Sequence, residues 1–326
     1  MRYILRRIGF YAVAAWVSIT INFFLPRLMP GDPASAIFAR FQGQMSPEAM
    51  EALRKAFGLT DEPLIKQYIT YLSHALRGDL GISIAYFPAP VTSVIATGLL
   101  WTLLLAGTAT IISFGLGSLL GVVAAWRRGG RLDTALPPFL MFVYSFPYFW
   151  LAMLALFFLS FRLGWFPLRH AYSDALAPAW SAEFVGSVLY HLMLPVITIV
   201  VVSLGNWLLG MRNSMIGVLA EDHIALAEAK GLPQRQVMYR YAARNALLPN
   251  ITAFGMALGF ILGGALLTEI VFSYPGMGYL LVQSVRNQDY PLMQGLFLMI
   301  TLAVLAANLL VDLLYVRLDP RVRSRG

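Results

Sequence analysis

Ser187 to Met211 reads SVLYHLMLPVITIVVVSLGNWLLGM, a run without one Asp, Glu, Lys or Arg. A helix needs about 20 mainly apolar residues to cross the hydrocarbon core of a bilayer, and this run exceeds that length. Working outward, Ile8 to Leu25, Thr97 to Trp126, Thr134 to Phe161, Ile251 to Thr268 and Leu292 to Val311 also lack all four charged residue types. Together the six stretches predict an all-α, polytopic integral membrane protein with six transmembrane helices, because in lipid a helix satisfies its own backbone hydrogen bonds.

Composition agrees. Hydrophobic residues make up 59% of the 326-residue chain and charged residues 12%, against about 25% charged in soluble domains; the mean hydropathy is +0.69. The net charge of +8 does not point to nucleic acid, since no basic cluster interleaved with stacking aromatics occurs. No cysteine is present, which excludes disulfides, thiolate nucleophiles and Cys-ligated zinc. His74, His170, His191 and His223 show no metal-ligand spacing.

The positive charge is distributed by topology, since cytoplasmic loops retain Lys and Arg. With the N-terminus inside, the inner segments carry Arg2, Arg6 and Arg7, then Arg127, Arg128 and Arg131, then Arg212, Lys230, Arg235, Arg240 and Arg244, and finally Arg317, Arg321, Arg323 and Arg325. The two short outer loops hold only Arg162, Arg169 and Arg286. The long outer segment is also basic, but segments of that length translocate largely regardless of charge. Both termini are therefore expected inside. The first apolar run is too long for a signal core of about 7–15 residues and no small-x-small cleavage site closes it, so it is expected to stay as the first span.

This gives a transmembrane helix over residues 1–28, an outer segment over 29–96, a five-helix core over 97–316 with a long inner loop at 212–250, and a tail over 317–326. In the outer segment Ser46-Pro47-Glu48 is an N-cap, first-turn proline and acidic first turn for a short helix to Phe57. A second helix is expected after Asp61-Glu62-Pro63 as far as Leu76. Gly117 and Gly121, and Gly255, Gly259 and Gly263, recur at every fourth position; small residues at this spacing allow close helix approach in lipid. Pro147, Pro195 and Pro249 should kink or end helices.

Motifs of catalysis are absent: no phosphate-cradling loop, nucleophile elbow, zinc-helix motif or dinucleotide fingerprint occurs. Ionisable residues near membrane depth are candidates for function; here they are Glu269, Asp312 and His191. Glu269 and Asp312 are placed at the ends of their spans, where a carboxylate reaches water or a headgroup. The inner loop is long for a connection between spans. Glu221 to Lys230 reads as one short helix stopped by Gly231, and Gln234 to Leu248 as a second, which would form a rigid inward projection able to contact another protein.

The run Glu221 to Pro249, with Ala227-Glu228-Ala229-Lys230-Gly231-Leu232 and Arg244-Asn245-Ala246-Leu247-Leu248-Pro249, resembles the coupling loop of permease subunits in dipeptide/oligopeptide-type ABC importers, specifically the B-type inner-membrane component of binding-protein-dependent transport systems. Met29-Pro30-Gly31-Asp32-Pro33, Thr268 to Gly278, Asn308 to Tyr315 and Leu318-Asp319-Pro320-Arg321 match the same family, so the resemblance covers nearly the whole chain. It implies a type I ABC-importer permease fold with a cytoplasmic coupling helix, in the bacterial inner membrane with the 29–96 segment periplasmic. The implied partners are a second related permease subunit, two ATP-binding subunits and a periplasmic or lipid-anchored solute-binding protein, besides membrane lipid. No cofactor belongs to this chain; ATP with magnesium would sit on the partner subunits. Glu221, Asp222, Ala227, Glu228, Ala229 and Gly231 would couple to an ATPase subunit, and Glu269 and Asp312 would serve gating or partner contact.

The chain departs from the broader importer motif at Ala225, which replaces a glutamate, and at Leu226, which replaces an alanine, while Ala227 and Gly231 fit. Di- and oligopeptides are the expected cargo, with small oligosaccharides the next choice. A proton-coupled secondary carrier working through Glu269 or Asp312 is the rival reading, and a membrane-embedded enzyme or scaffold subunit another. Because no phosphate loop is present, the purified chain alone is expected neither to bind nor to hydrolyse ATP; nucleotide-binding and phosphate-release assays on a homogeneous preparation check this.

Overall fold

Apolar length translates into long helices in the computed structural model, which describes residues 2–28, 62–261 and 265–318. The helices are α1 (Arg2–Leu28), α2 (Leu64–Leu76), α3 (Val91–Trp126), α4 (Arg131–Tyr144), α5 (Tyr148–Arg162), α6 (Ala182–Leu219), α7 (Asp222–Ala229), α8 (234–260), α9 (Leu266–Val271), α10 (Met277–Arg286) and α11 (Tyr290–Leu318). No extended strand occurs among the described residues. The expected helix at Ser46–Phe57, the Met29–Pro33 run, Gly263, the tail from residue 319 and the Asp312 side chain lie outside the described residues.

Among the described residues four helices are long and apolar enough to cross a membrane: Arg6–Phe24 within α1, α3, α6, and Tyr290–Leu309 within α11; a bent pair, α4 and α5, makes a fifth if it is one span. That pair replaces the continuous third span expected from sequence, its halves meeting at 93°. Pro147 explains the break. It has no N–H to continue the ladder of α4, and it pushes Phe146 out of helical backbone geometry; α5 then restarts with the Trp150 N–H donating to the Pro147 carbonyl at 2.9 Å. The stretch expected as a continuous fifth span, Ile251–Thr268, is shared between the end of α8 and the short α9.

The chain divides into two compact units. The first holds α1, α2, the beginning of α3, α10 and α11. Its core joins Val91 and Ile95 of α3, Met277 and Leu280 of α10, and Leu292 and Leu296 of α11. A buried carboxylate organises the turn before α11: Asp289, with no exposed surface, accepts from Ser83 Oγ at 2.5 Å, the Ala85 N–H at 2.9 Å and the Leu292 N–H at 3.1 Å. Three donors satisfy a charge that would otherwise be costly to bury. α2 begins after Pro63 and ends at Leu76, as the sequence predicted.

The second unit is built on α3 and α6. A Cβ at Gly117 would lie 2.5 Å from Trp207 Cβ, and one at Gly121 would lie 2.6 Å from the Leu208 carbonyl and 2.8 Å from Met211 Cβ. These two glycines thus let the backbones touch where lipid supplies no hydrophobic drive. Gly255 of α8 makes no such contact: among the described residues, no atom outside its own stretch of helix lies within 4 Å of its Cβ position. Gly121→Leu is therefore expected to cost about 1–3 kcal/mol through overpacking, whereas Gly255→Ala should change stability by less than about 0.5 kcal/mol. Thermal unfolding of the detergent-solubilised chain measures both.

Candidate coupling site

The C-terminal ends of α3 and α6 carry the loop helices. α7 begins after Glu221, whose extended backbone lets the helix start, and Asp222 occupies the first turn, where a carboxylate favours the positive end of the helix dipole. Gly231 ends it with φ 71°, the left-handed region that glycine enters without a Cβ penalty. α8 starts after Pro233, passes through a π-helical turn at Val237–Ala243 and continues from Arg244 to Phe260. The second expected short helix is thus the leading end of a long one.

Packing separates the two faces of α7. Ile224 and Ala227 are 2% and 3% exposed and join Val122, Ala125, Met211, Met215, Val237, Met238, Ala242 and Ala246 in one buried cluster. Glu221, Asp222, Ala225, Leu226, Glu228, Ala229 and Lys230 are exposed. Of the two alanines expected to couple to an ATPase subunit, Ala229 is exposed, whereas Ala227 is a core residue of the chain's own corner. Leu226, by contrast, is 58% exposed, an apolar side chain with Asp222 one turn before it and Lys230 one turn after it on the same side of the helix.

A second polar layer braces this corner. Arg212, next in α6 to the Gly121 contact, donates through Nε to Asp133 Oδ1 at 2.5 Å and through Nη2 to Oδ2 at 3.1 Å. The Gly129 N–H donates to the same carboxylate at 3.0 Å. The Asp133 side chain is only 5% exposed, and these donors satisfy its carboxylate, which Arg212 above all holds below its usual pKa range. His223 bridges the loop: its Nδ1 lies 3.1 Å from Glu221 Oε2 and its Nε2 3.1 Å from Asn245 Nδ2. Neutral His223 fits both, donating from Nδ1 and accepting at Nε2. Asn250 is buried and donates to Met211 Sδ at 3.0 Å.

The structure thus brings Glu221 to Gly231 together at one corner with Arg212, Asn245 and Asn250 of the same loop and with Asp133, which the sequence did not mark as part of it. Asp133 and Arg212 are 79 residues apart, and no periodicity links them. Glu269 belongs to a different place, α9. It is fully buried, a correction to its expected contact with water or a headgroup. Thr268 and Tyr274 are buried beside it in sequence, and the Tyr274 N–H donates to the Glu269 carbonyl at 2.7 Å. The neighbouring Phe272 carbonyl accepts from the His170 N–H at 3.0 Å. His170 also contacts Asp174 at 2.6 Å, and this hydrogen bond holds the Asp174 carboxyl below its usual range. No group of three His, Cys, Asp or Glu residues suited to a metal occurs among the described residues.

Comparison with known proteins places this corner in a family. Residues 117–324 match the inner membrane component of binding-protein-dependent transport systems, and residues 1–113 match the N-terminal part of such membrane components. The chain belongs to this family. It is 37% identical to a probable peptide ABC transporter permease of Sinorhizobium fredii, over 98% of this chain and 99% of that one. It is 34% identical to the dipeptide transport system permease of Escherichia coli, over 100% and 99%, and 33% identical to a di/tripeptide transport system permease of Pseudomonas aeruginosa, over 100% and 99%. The protein is accordingly a multi-pass permease component of an inner-membrane ABC transport system, a non-catalytic part of it.

In this permease the two faces of α7 predict opposite mutational outcomes. Ala227→Trp should destabilise the inner corner by about 1–3 kcal/mol, while Leu226→Asp should leave folding within about 0.5 kcal/mol of the parent. Thermal unfolding and size-exclusion profiles of the two variants separate them.

Proposed function

We propose that this chain forms, with a second related permease subunit, the translocation path of an ATP-driven importer for di- and oligopeptides. Six spans cross the membrane with both termini cytoplasmic, and a periplasmic or lipid-anchored binding protein delivers the cargo. Two separate subunits bind ATP with magnesium. The observation that carries this reading is end-to-end similarity to permeases named for peptide transport, combined with an inner helix whose core-facing side is packed while Leu226 and its charged neighbours stay exposed.

In this arrangement the exposed face of α7 seats on an ATPase subunit, Leu226 supplying apolar contact and Glu221, Asp222 and Glu228 its charged rim. Closure of the ATPases moves α7, and the buried cluster transmits that movement to α3 and α6. Transmission needs a stiff element with discrete arrangements. The packed corner and the Asp133–Arg212 pair supply that stiffness. Glu269 and Asp312 act in gating or in contact with the second permease.

The test is reconstitution with a second permease subunit, ATPase subunits and a solute-binding protein that co-purify with this chain. Dipeptide uptake should require internal ATP and the binding protein, and a proton gradient alone should drive none. Leu226→Asp and Gly231→Val, the latter strained by about 1–2 kcal/mol in left-handed backbone, should lower cargo-stimulated ATPase activity about tenfold or more. Uptake driven by protons without ATP overturns the importer reading, and wild-type coupling in both variants overturns the role of α7. The cysteine-free chain also allows single-cysteine accessibility mapping of both termini.

A further inference from the structure

α2 meets α1 over a short part of each helix. Thr20 Oγ1 lies 2.8 Å from Tyr68 OH, Asn22 Nδ2 donates to Tyr71 OH at 3.1 Å, and Arg27 donates to Gln67 Oε1 at 2.9 Å. Phe23, fully buried, packs against the Tyr68 and Tyr71 rings at centroid distances of 5.2 and 5.6 Å. The Arg27 guanidinium sits 3.6 Å over the Phe23 ring. Two turns of α1 therefore converge on a single turn of α2, and the helices cross. The crossing falls where the apolar span of α1 ends, at Phe24.

The remainder of α2 has two unlike faces. Lys66, Thr70 and His74, spaced by four, form a polar one. Ile65, Ile69 and Leu76 form the other, exposed to 73%, 61% and 78%. Leaving such side chains in water forgoes roughly 1.5–3 kcal/mol each, a large amount for a helix of 13 residues.

We propose that α2 is an interfacial anchor whose Ile65, Ile69 and Leu76 stripe is embedded in lipid at the boundary between headgroups and acyl chains. Continuity favours lipid as the occupant: on α1, Val17, Ile21, Phe24 and Leu28 flank the crossing residues and are themselves exposed, so a lipid-facing surface leads directly to α2. Depth favours it too, since the crossing at Phe24 holds α2 at the end of the apolar span, where the amphipathic rings of Tyr68 and Tyr71 are at home. Charge is the third argument. Arg77 is exposed at the end of the helix, where a cation suits lipid phosphates, while Lys66 is paired with Glu62 at 2.6 Å and Arg27 with Gln67; an amphipathic helix of this kind lies in the interfacial plane with its apolar face about 5–10 Å deep.

The anchor does not depend on the cargo or on the importer reading. Ile65→Cys and Thr70→Cys, each the sole cysteine in the chain, are labelled with a fluorophore in nanodiscs together with whatever subunits co-purify. Lipids brominated along the acyl chain should quench the label at position 65 about threefold more than that at position 70, given an apolar face buried about 5–10 Å. Equal quenching overturns the proposal. So does a label at 65 shielded from both bromolipid and a water-soluble quencher, because protein would then cover the stripe. On the unmodified chain, a lipid carrying a diazirine in its acyl chain should crosslink to residues 64–76; adducts on α1 with none on α2 overturn the anchor without any variant.

Discussion

The close approach of α3 and α6 at Gly117 and Gly121 is the contact on which the corner beneath α7 depends. Lipid tails are as apolar as Leu or Val, so two membrane helices gain nothing from hiding apolar surface from each other and must gain from fit. Glycine permits that fit by removing the Cβ that would strike Trp207 or Met211. With the backbones in contact, Met211 and Met215 reach the buried cluster under α7, and Arg212 reaches Asp133. A wider separation of α3 and α6 would loosen the apolar floor of the loop and the ion pair beside it together.

The loop is therefore better described as the cap of a packed corner than as a projection. Its two small helices differ in kind: α7 is a separate element held by Ile224 and Ala227, whereas the segment after Pro233 is the first turn of the long α8. Gly231 joins them with a left-handed residue whose Cβ position is empty, so the angle between them is a backbone property and not a packing one. The exposed face of α7 is tied to the helix ends beneath it through Ile224 and Ala227, which are buried in one cluster with Met211 and Met215.

The first unit solves a different problem, holding polar segments against apolar spans. Asp289 does so with three donors from two segments distant in sequence. Asn22 does it by reaching Tyr71 of α2 and the Gln294 carbonyl of α11 at once. At the edge of a bilayer each such hydrogen bond replaces one that water would otherwise make, so the polar residues lie at helix ends or in the turns between helices.

Sequence alone determined that the chain is helical and membrane-embedded, because a charge-free run of span length has no stable alternative in lipid. It also determined where α2 and α7 begin and end, since Pro63 and Gly231 act through local backbone geometry, and which family the chain resembles. Tertiary structure alone decided the bend at Pro147: its 93° angle depends on what α4 and α5 pack against, while a proline in the sequence signals only a kink of unknown size. It alone decided that Gly121 is crowded and Gly255 is not, since identical spacing carries no information about the helix opposite. The same holds for Ala227 turning inward, for the burial of Glu269, and for Asp133 finding Arg212: each depends on a neighbour many residues away, brought close only when the helices assemble.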